Sequence, residues 1–314
     1  MPNFKKNIIF ILIFFIGFFC VSDALAFQIQ TSENTLVEND IVLSPSKTEL
    51  FLNQGEHAVQ NLKIINRTGK LINVFIEIED FTGDSYGSSK LLGKEKGIFS
   101  LRDYLYPEKN NFILAHGEKA VLPINVNIPQ NAEQGGLYGA VIVRAEPVVV
   151  DQADAIEQIT VKTRLASLFF ARVKGDVNEI GNLKSFLSDR KFYNKNNINF
   201  SIVYNNTGNV HLNPYGKIEI KNILERKIDE IQISPYFVMP GFFRTKNIIW
   251  DKNLAFGRYT AFLQLNRGYS NIVDEVKIHF WIMPFKFLFV CGIMLLIILI
   301  SLWLKRNGSP FARG

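Results

Sequence analysis

Apolar and polar residues alternate with a period of two through nearly the whole chain between residues 28 and 284. In the segment LINVFIEIED, for example, Ile72, Val74 and Ile76 share one face, which is the pattern of a half-buried β-strand. Turn residues such as NQGE at residues 53–56 separate these segments. Short strands at roughly 8–12-residue spacing are typical of β-sandwiches. The sequence therefore predicts an all-β body with immunoglobulin-like sandwiches.

Two short motifs occur twice, in the same order. NRTG begins at Asn66 and NNTG begins at Asn205, and each is followed by Gly-x-Tyr-x-Ala, with the tyrosine at Tyr138 and then at Tyr259. An ordered pair of motifs that recurs within alternating strands indicates two related domains. We place these domains at residues 27–175 and 176–284.

Both motifs have a structural interpretation. The asparagine of Asn-x-Thr-Gly can bond its own backbone at a turn, and the glycine takes the positive φ. The tyrosine of immunoglobulin-like sandwiches bonds back to the preceding corner, and the alanine two residues later faces the core. The predicted structural corners are Asn66, Gly69, Tyr138, Asn205, Gly208 and Tyr259.

Glycosylation is the second interpretation of the same asparagines. Asn66, Asn199 and Asn205 each satisfy the Asn-x-Ser/Thr sequon. The abundance of Asn, Lys and Ile is typical of an AT-rich bacterial genome and favours the turn interpretation.

The last long segment is uniformly apolar. FLFVCGIMLLIILISLWL at residues 287–304 has no charged residue and is about as long as a membrane-spanning helix must be. Lys305, Arg306 and Arg313 follow with no acid among them, which favours a cytoplasmic tail. We predict a transmembrane helix at residues 285–304, a cytoplasmic tail at 305–314, and a single-pass type I protein of the cell membrane.

The N-terminus has the pattern of a secretory signal peptide at residues 1–26. Lys5 and Lys6 precede an apolar run, and a small-residue Ala-x-Ala site ends at Ala26. An uncleaved N-terminal anchor is the alternative, because the apolar run is long for a signal core.

Charge and cysteine content limit the possible functions. The chain has 35 basic and 29 acidic residues, but the surplus of basic residues lies largely in the terminal segments, so the body has no basic excess for nucleic-acid binding. Cys20 and Cys291 lie in those same terminal segments. The body therefore has no disulfide, thiolate metal site or cysteine nucleophile.

No catalytic constellation is recognisable. The four histidines have no HExxH spacing, and the chain has no nucleophile elbow or phosphate loop. We predict a non-enzymatic protein with no catalytic residue, no cofactor and no resident metal. A calcium site is the alternative for a polar strand face formed by Glu77, Glu79, Asp80 and Asp84.

Two surfaces are predicted to bind a partner. The first is a long insertion at residues 80–111, rich in Gly, Ser and charge, since loops of this length are usually functional or mobile. The second is PYFVMPGFFR, where two phenylalanines follow Pro-Gly. Protrusion would make them partner contacts, but packing in the core or at a strand edge is favoured, since most large apolar residues pack inside. The candidate contact residues are Tyr86, Tyr104, Tyr106, Phe242 and Phe243.

The chain resembles the WxL-interacting proteins, membrane-anchored surface proteins of Gram-positive bacteria. The resemblance lies in LSPSKTELFLNQGEHAVQNLKIINRTGKLINVFIEIED (residues 43–80), NIPQNAEQGGLYGAVIV (127–143), YNNTGNVHLNPYGKIEI (204–220) and FVMPGFFRTKNIIWDKNLAFGRYTAFLQL (237–265). It covers most of residues 41–283. It implies a first domain that binds peptidoglycan and a second domain that contacts a host or partner protein.

The function expected from the sequence is that of a non-enzymatic, membrane-anchored surface scaffold. Such a protein would engage cell-wall peptidoglycan, a secreted surface protein or a host protein. The alternative is a chaperone-like envelope assembly factor, because the open edge of a paired sandwich can accept a strand from a client protein.

Overall fold

A computed structural model describes residues 26–31, 35–84, 88–148, 162–194, 197–252, 255–283 and 285–307. Residues 1–25 of the predicted signal peptide and residues 308–314 of the predicted cytoplasmic tail therefore lie outside the described residues. The described residues form β-strands, one 3₁₀ turn at Arg102–Tyr104 and one long α-helix at the C-terminal end. The prediction of an all-β body followed by one helix is confirmed.

Eleven strands, β1–β11, form the first sheet pair. One sheet has the order β1-β9-β4-β2 with β7 also on β9, and the other has the order β3-β11-β10-β5-β6 with β8 also on β5. The strands are β1 (Gln28–Thr31), β2 (Ile41–Ser44), β3 (Lys47–Leu52), β4 (His57–Asn66), β5 (Ile72–Gly83), β6 (Ser89–Leu91), β7 (Leu105–Pro107), β8 (Asn111–Leu114), β9 (Glu118–Asn127), β10 (Gly135–Pro147) and β11 (Thr163–Val173).

Eight strands, β12–β19, form the second sheet pair. Its sheets have the orders β12-β14-β17 and β13-β19-β18-β15-β16. The strands are β12 (Gly181–Ser188), β13 (Phe192–Tyr193), β14 (Asn197–Asn206), β15 (Tyr215–Asn222), β16 (Lys227–Ile233), β17 (Phe243–Asp251), β18 (Gly257–Asn266) and β19 (Val273–Ile282).

Each sheet pair encloses its own hydrophobic core. In the first pair, Leu62 and Leu122 from one sheet pack with Phe169 from the other, and all three are fully buried. In the second pair, Phe200 and Phe280 are buried in the same way. Burying each such side chain contributes about 1.5–3 kcal/mol, which is why the period-two pattern specifies these strands. The assignment of two immunoglobulin-like domains with a boundary near residue 175 remains a prediction.

The chain changes sheets between β2 and β3. Pro45 follows β2 with a cis Ser44–Pro45 peptide bond, and it cannot donate a hydrogen bond that would continue the ladder. β3 then runs parallel to β11 but covers only its second half, from Leu168 to Val173. This partial pairing shapes the candidate site described below.

The recurring asparagine corner is present in both sheet pairs, but it is displaced by one residue in the second. The buried Asn66 amide donates to the carbonyl oxygens of Lys70 (2.8 Å) and Leu114 (2.9 Å). In the second pair Asn206, and not the predicted Asn205, donates to Val210 (2.8 Å) and Val238 (2.8 Å). Asn206 is the residue that alternation in β14 turns into the core.

This displacement also changes the role of the two predicted glycines. Gly69 has the expected positive φ of 77°. Gly208 is instead the residue whose N–H donates to Asn206 Oδ1 (2.9 Å), the role that Thr68 plays for Asn66 (2.9 Å). A Cβ on Gly208 would lie 1.9 Å from the Asn178 carbonyl oxygen. Close backbone approach, and not a positive φ, therefore requires this glycine.

The C-terminal helix, α1, spans Phe285–Asn307. Its window Phe289–Arg306 is long and apolar enough to cross a membrane and is not buried against the sheets. A transmembrane helix is therefore supported by length and composition, and its orientation remains a prediction.

Candidate partner-binding site between the sheet pairs

A third apolar cluster joins the two sheet pairs. We call it the interface cluster, and its buried members are Phe81, Tyr138, Ala140, Ile142, Phe170, Phe237 and Met239. The first five lie on the outer face of β5, β10 and β11, and the last two precede β17. The Phe170 and Phe237 rings have centroids 4.4 Å apart in an edge-to-face arrangement, which is a favourable aromatic geometry.

The two Gly-x-Tyr-x-Ala motifs face opposite ways. Tyr259 and Ala261 face their own core, and the Tyr259 hydroxyl donates to the Ala255 carbonyl oxygen (3.0 Å), as predicted for a tyrosine corner. Tyr138 does not form such a corner. It lies with Ala140 in the interface cluster, so that prediction is wrong for the first motif.

Gly136 permits this different position of Tyr138. A Cβ on Gly136 would lie 2.0 Å from the Tyr138 hydroxyl oxygen, whereas one on Gly257 would have its nearest neighbour at 3.8 Å. The first glycine of the first motif is therefore required for packing between the sheet pairs.

A buried polar chain passes through the interface cluster. The Tyr138 hydroxyl accepts from the backbone N–H of His211 (2.7 Å) and lies 3.2 Å from His211 Nδ1. On its other side, His211 Nε2 lies 2.8 Å from Glu49 Oε1, and the Tyr269 hydroxyl donates to the same carboxylate oxygen. A neutral His211 satisfies every contact: Tyr138 donates to Nδ1, and Nε2–H donates to Glu49.

Burial and hydrogen bonds set the protonation states of His211 and Glu49 in this polar chain. It lowers the pKa of His211 below 6.5, against the opposing effect of Glu49. Burial raises the pKa of Glu49, but hydrogen bonds from His211 and Tyr269 act in the other direction and leave that pKa below its ordinary value. Lys47 and Arg172 further disfavour a charged imidazole. In this polar chain, His211 is therefore neutral and the Glu49 carboxylate beside it is ionised.

On the side away from β10, the first half of β11 is an open sheet edge among the described residues. β10 pairs with the full length of β11, but β3 pairs only from Leu168 onward. Within the described part of the chain, no strand pairs with residues 163–167 on that side. The N–H of Leu168 donates to the Ser46 carbonyl oxygen (2.9 Å). Successive residues of a strand point their backbone N–H and C=O groups to opposite sides. Ala166, two residues before Leu168, therefore points its N–H and C=O to the same side as Leu168, where the edge is open.

A groove of about 610 Å³ lies at the end of this open edge, between the sheet pairs. Its floor is apolar and includes Leu168 and Phe170 from β11 together with Phe237. Three cations, Lys47, Arg244 and Lys246, also line it, and no carboxylate of the described residues does. The groove can therefore take an apolar side chain beside a negatively charged group.

Each cation of the groove wall lies beside an aromatic ring or a carbonyl oxygen. Lys47 Nζ lies 4.2 Å from the centroid of the Phe237 ring, and an Arg244 guanidinium N–H donates to the Phe237 carbonyl oxygen (2.7 Å). Lys246 Nζ lies 5.9 Å from the Tyr236 ring centroid. Aromatic and carbonyl groups hold these cations without neutralising them.

Of the predicted tyrosine contacts, the two that the structure describes differ in exposure. Tyr86 lies outside the described residues. Tyr104 is partly buried against the first core, whereas Tyr106 is 49% exposed and its hydroxyl donates to the Asp103 carbonyl oxygen (2.6 Å). Partner binding by these residues remains a prediction.

Phe243 is the first residue of β17 and Phe242 precedes it, and the two rings have different neighbours. Phe242 packs against the interface cluster and lies directly over Gly83 of the first sheet pair. Phe243 is half-buried, with Lys184 Nζ 5.2 Å from its ring centroid. Phe242 therefore packs, which is the favoured of the two alternatives, because its ring fills the contact between the sheet pairs. Partner binding by Phe243 remains a prediction.

The insertion at residues 80–111 is anchored in its described part. Asp80 is fully buried and accepts hydrogen bonds from the N–H groups of Gly97 (2.9 Å) and Arg102 (3.1 Å). Glu77 and Glu79 form ion pairs with arginines of β10 and β11. Among the described residues, no group of three or more His, Cys, Asp or Glu could hold a metal ion.

The groove and the polar chain were not predicted from the sequence. One signal existed: residues 165–170 of β11 are apolar on both faces, with Leu165 and Phe169 on one and Ala166, Leu168 and Phe170 on the other. A strand that is apolar on both faces is expected to be covered on both sides.

No protein-family model matches the chain, and no curated protein matches it. Among solved structures, it is similar to a SafA pilin–SafB chaperone complex of Salmonella enterica, with 12% identity over 80% of this chain and 100% of that chain, and a TM-score of 0.39. It is also similar to the class 5 fimbriae chaperone CfaA, with 14% identity over 78% and 100%, and a TM-score of 0.38.

A third similarity is to the CsuC–CsuE chaperone–tip adhesion subunit pre-assembly complex of Acinetobacter baumannii. The identity is 13%, the coverage is 78% of this chain and 99% of that chain, and the TM-score is 0.38. With TM-scores below 0.5, these similarities are too distant to assign a function to this chain.

Proposed function

We propose that the chain is a membrane-tethered, non-enzymatic binding protein that accepts an extended segment of a client protein, as a chaperone-like envelope assembly factor does. The open edge at residues 163–167 of β11 is the observation that carries this proposal. An unpaired edge presents a row of N–H and C=O groups, and an incoming strand can add to it.

The side chains beside this edge define the segment that would fit. Ala166, Leu168 and Phe170 follow one another on the groove face of β11. An added strand places alternate side chains on that same face. The client segment is therefore extended, with apolar residues at every second position.

The cations of the groove add a charge preference. Lys47, Arg244 and Lys246 surround its apolar floor, and a carboxylate forms stronger hydrogen bonds with cations than a neutral acceptor does. We expect the segment to carry an acidic side chain or a free C-terminal carboxylate where the edge meets the groove.

The helix α1 would tether this site to a membrane. Its window Phe289–Arg306 supports an anchor by length and composition, and we propose the type I orientation from the basic residues that follow it. A client would then be bound at the membrane surface, on the side to which secreted proteins emerge.

The strand order supports two immunoglobulin-like domains at residues 27–175 and 176–284. In each sheet pair, a Gly-x-Tyr-x-Ala strand lies between its sequence successor and an earlier strand: β10 between β11 and β5, and β18 between β19 and β15. The asparagine corner ends β4 in the first pair and β14 in the second.

The surface-scaffold function expected from the WxL-interacting resemblance remains a second proposal. The anchored insertion presents Ile98, which is 90% exposed, and Tyr106 on the first sheet pair. These residues suit contact with a secreted surface protein. Binding of peptidoglycan is tested by pelleting the full chain with purified cell wall, and recovery only in the supernatant would exclude it.

A backbone substitution tests the strand-accepting function. Ala166→Pro removes an N–H that points to the open side and not one that donates to β10, which is the position at which a strand tolerates proline. Proline also fixes φ, so the unfolding transition of the variant must be compared with that of the wild type. We expect the full chain in detergent to bind a labelled, extended peptide with alternating apolar residues. The proline variant should lose that binding, measured by fluorescence anisotropy.

Ala166→Val is the matched control, since it enlarges the side chain but keeps the N–H. Loss of binding in the proline variant alone supports strand addition. Equal binding by wild type and the proline variant would contradict it, provided that both show the same unfolding transition.

A further inference from the structure

The hairpin between β15 and β16 displays two large aliphatic side chains at its tip. Ile223 is 68% exposed and Leu224 is 67% exposed. Tight turns usually carry Gly, Pro, Asn, Asp or Ser, and large aliphatic residues are usually buried. An adjacent exposed pair at a turn apex therefore requires a physical reason.

This tip is held in place by its own hydrogen bonds. Asn222 Oδ1 accepts from the N–H groups of Leu224 (3.0 Å) and Arg226 (3.0 Å), and the Asn222 carbonyl oxygen accepts from the N–H of Glu225 (3.0 Å). Glu225 completes the turn with a positive φ of 57°. The turn is specified by these bonds, so its two apolar side chains are presented outward by a defined backbone.

Strand register places the tip at the end of the sheet from which the chain enters α1. Asn222 of β15 pairs with Tyr259 of β18, and Tyr259 pairs with Phe280 of β19. Strand β19 ends two residues later, at Ile282. Both β15 and β19 are antiparallel to β18, so they run toward the same end. The tip is therefore nearly level with the last residue of β19.

The distance from this end to the apolar helix is short. The membrane-compatible window begins at Phe289, and α1 itself begins at Phe285, three residues after Ile282. An extended chain to Phe285 and helical rise beyond it can separate Ile282 from Phe289 by at most about 17 Å. The headgroup layer then lies within reach of the hairpin.

Other residues at this end have the same character. Phe192 of β13 is 55% exposed and pairs with Trp281 in the last rungs of the sheet. Exposed cations surround the apolar side chains: Lys191, Arg226 and Arg258, together with Lys227, which also pairs with Glu230. Among the described residues, the exposed acids here are Asp189, Glu225 and Asp251, and Asp189 pairs with Arg190. Outside these ion pairs, the three cations Lys191, Arg226 and Arg258 outnumber the two acids Glu225 and Asp251.

We infer that the β15–β16 hairpin tip docks on the membrane in which α1 is anchored. Ile223 and Leu224 enter the interfacial layer, and the surrounding cations contact anionic headgroups. An apolar pair flanked by basic residues is the composition that binds at a lipid interface. The contact rests on α1 being a membrane anchor, as in the proposed function. It would fix the tilt of the second sheet pair above the membrane.

Depth measurement with a spin label tests the contact directly. The full chain, carrying Cys20→Ser and Cys291→Ser, is labelled at Leu224→Cys and reconstituted into vesicles of phosphatidylethanolamine and phosphatidylglycerol. Ile272→Cys is the matched control, because Ile272 is 46% exposed and precedes β19 at the opposite end of the sheet. Collision rates with oxygen, which partitions into lipid, and with a water-soluble nickel chelate report the depth of each label.

We expect the oxygen-to-nickel collision ratio at position 224 to rise above that at position 272. Suppose that the chain floats with the vesicles after a carbonate wash, which shows that it is inserted. Equal, water-like collision ratios at positions 224 and 272 would then overturn the docking inference alone. A chain that does not insert would overturn the anchor and the docking together. Dipolar broadening between labels at position 224 would show a second copy as the occupant and would also overturn the inference.

Discussion

The hydroxyl oxygen of Tyr138, in the first sheet pair, accepts a 2.7 Å hydrogen bond from the backbone N–H of His211, in the second. Both residues are buried, at 1% and 0% exposure. A buried N–H without a partner costs about 1–3 kcal/mol. The hydroxyl therefore does more than fill space, because it satisfies a backbone donor that faces the neighbouring sheet pair.

Removing this hydroxyl is expected to destabilise the contact between the sheet pairs. Tyr138→Phe keeps the ring in the interface cluster but leaves the His211 N–H without its acceptor, so we expect a loss of about 1–3 kcal/mol. Tyr259→Phe is the control, because it removes a hydroxyl whose partner, the Ala255 carbonyl, is less buried. Urea unfolding of the full chain in detergent measures both. Equal, small losses would contradict the role given to Tyr138.

The free energy of unfolding should fall as the pH drops below 6.5. Burial holds the pKa of His211 below its ordinary value of 6.5, so just below that pH the unfolded chain binds a proton that the folded chain does not. Stability is then lost as the pH falls. The pKa of Glu49 also lies below its ordinary 4.5, so its own loss comes at lower pH.

The substitution His211→Asn removes this titration. Urea unfolding at several pH values should give a shallower dependence of the free energy of unfolding on pH for the variant, just below pH 6.5. Identical slopes for the variant and the wild type would show that His211 is not held neutral by its surroundings.

Strands and the apolar helix were predictable because they depend on local patterns. Alternation in β4 and β14, and the uninterrupted run in α1, each specify an element without knowledge of the rest of the fold. The asparagine corner was found for the same reason. Its exact residue in the second pair was not, since the neighbours Asn205 and Asn206 differ only in which one alternation turns inward.

The candidate site could not be predicted in the same way. Lys47 and Lys246 are about 200 positions apart, and only the packing of the two sheet pairs brings them to one groove. Glu49, His211 and Tyr269 have no shared motif. The opposite facing of Tyr138 and Tyr259 was also hidden, because both motifs have the same local pattern.

Substitution at the second corner distinguishes the two asparagines. Asn206→Ala removes two buried amide hydrogen bonds, to the carbonyl oxygens of Val210 and Val238, and we expect a loss of about 2 kcal/mol or more. Asn205→Ala should change the free energy of unfolding by no more than about 0.5 kcal/mol, as at most surface positions. Chemical denaturation measures the free energy of unfolding of both variants. A larger loss for Asn205→Ala would show that Asn205, the residue predicted from the motif, forms the corner.

Charge reversal in the groove tests the preference for a carboxylate. Lys246→Glu should weaken binding of an extended peptide with a free C-terminal carboxylate more than binding of the same peptide with an amide end. Added salt should reduce the difference, because it screens exposed charges. Lys277→Glu, on an exposed position of β19 outside the groove, is the matched control. If the two substitutions weaken binding of both peptides equally, the groove is not part of the binding site.

The contact between Gly83 and Phe242 gives the sharpest test of how the sheet pairs meet. A Cβ on Gly83, at the end of β5, would lie 2.7 Å from Cγ of the Phe242 ring. A ring packed against the interface cluster cannot yield easily, so Gly83→Ala should cost about 1–3 kcal/mol. Phe242→Ala alone should also destabilise the chain, because it removes a packed ring.

The double variant should be more stable than the sum of the two losses predicts. With the ring removed, the new methyl group has room, and a double-mutant cycle by urea unfolding measures the coupling, expected at about 0.5–3 kcal/mol for residues in contact. Additive losses would mean that Gly83 and Phe242 do not touch. In that case the two sheet pairs would pack differently, and the groove between them would not be the place where a client carboxylate lies.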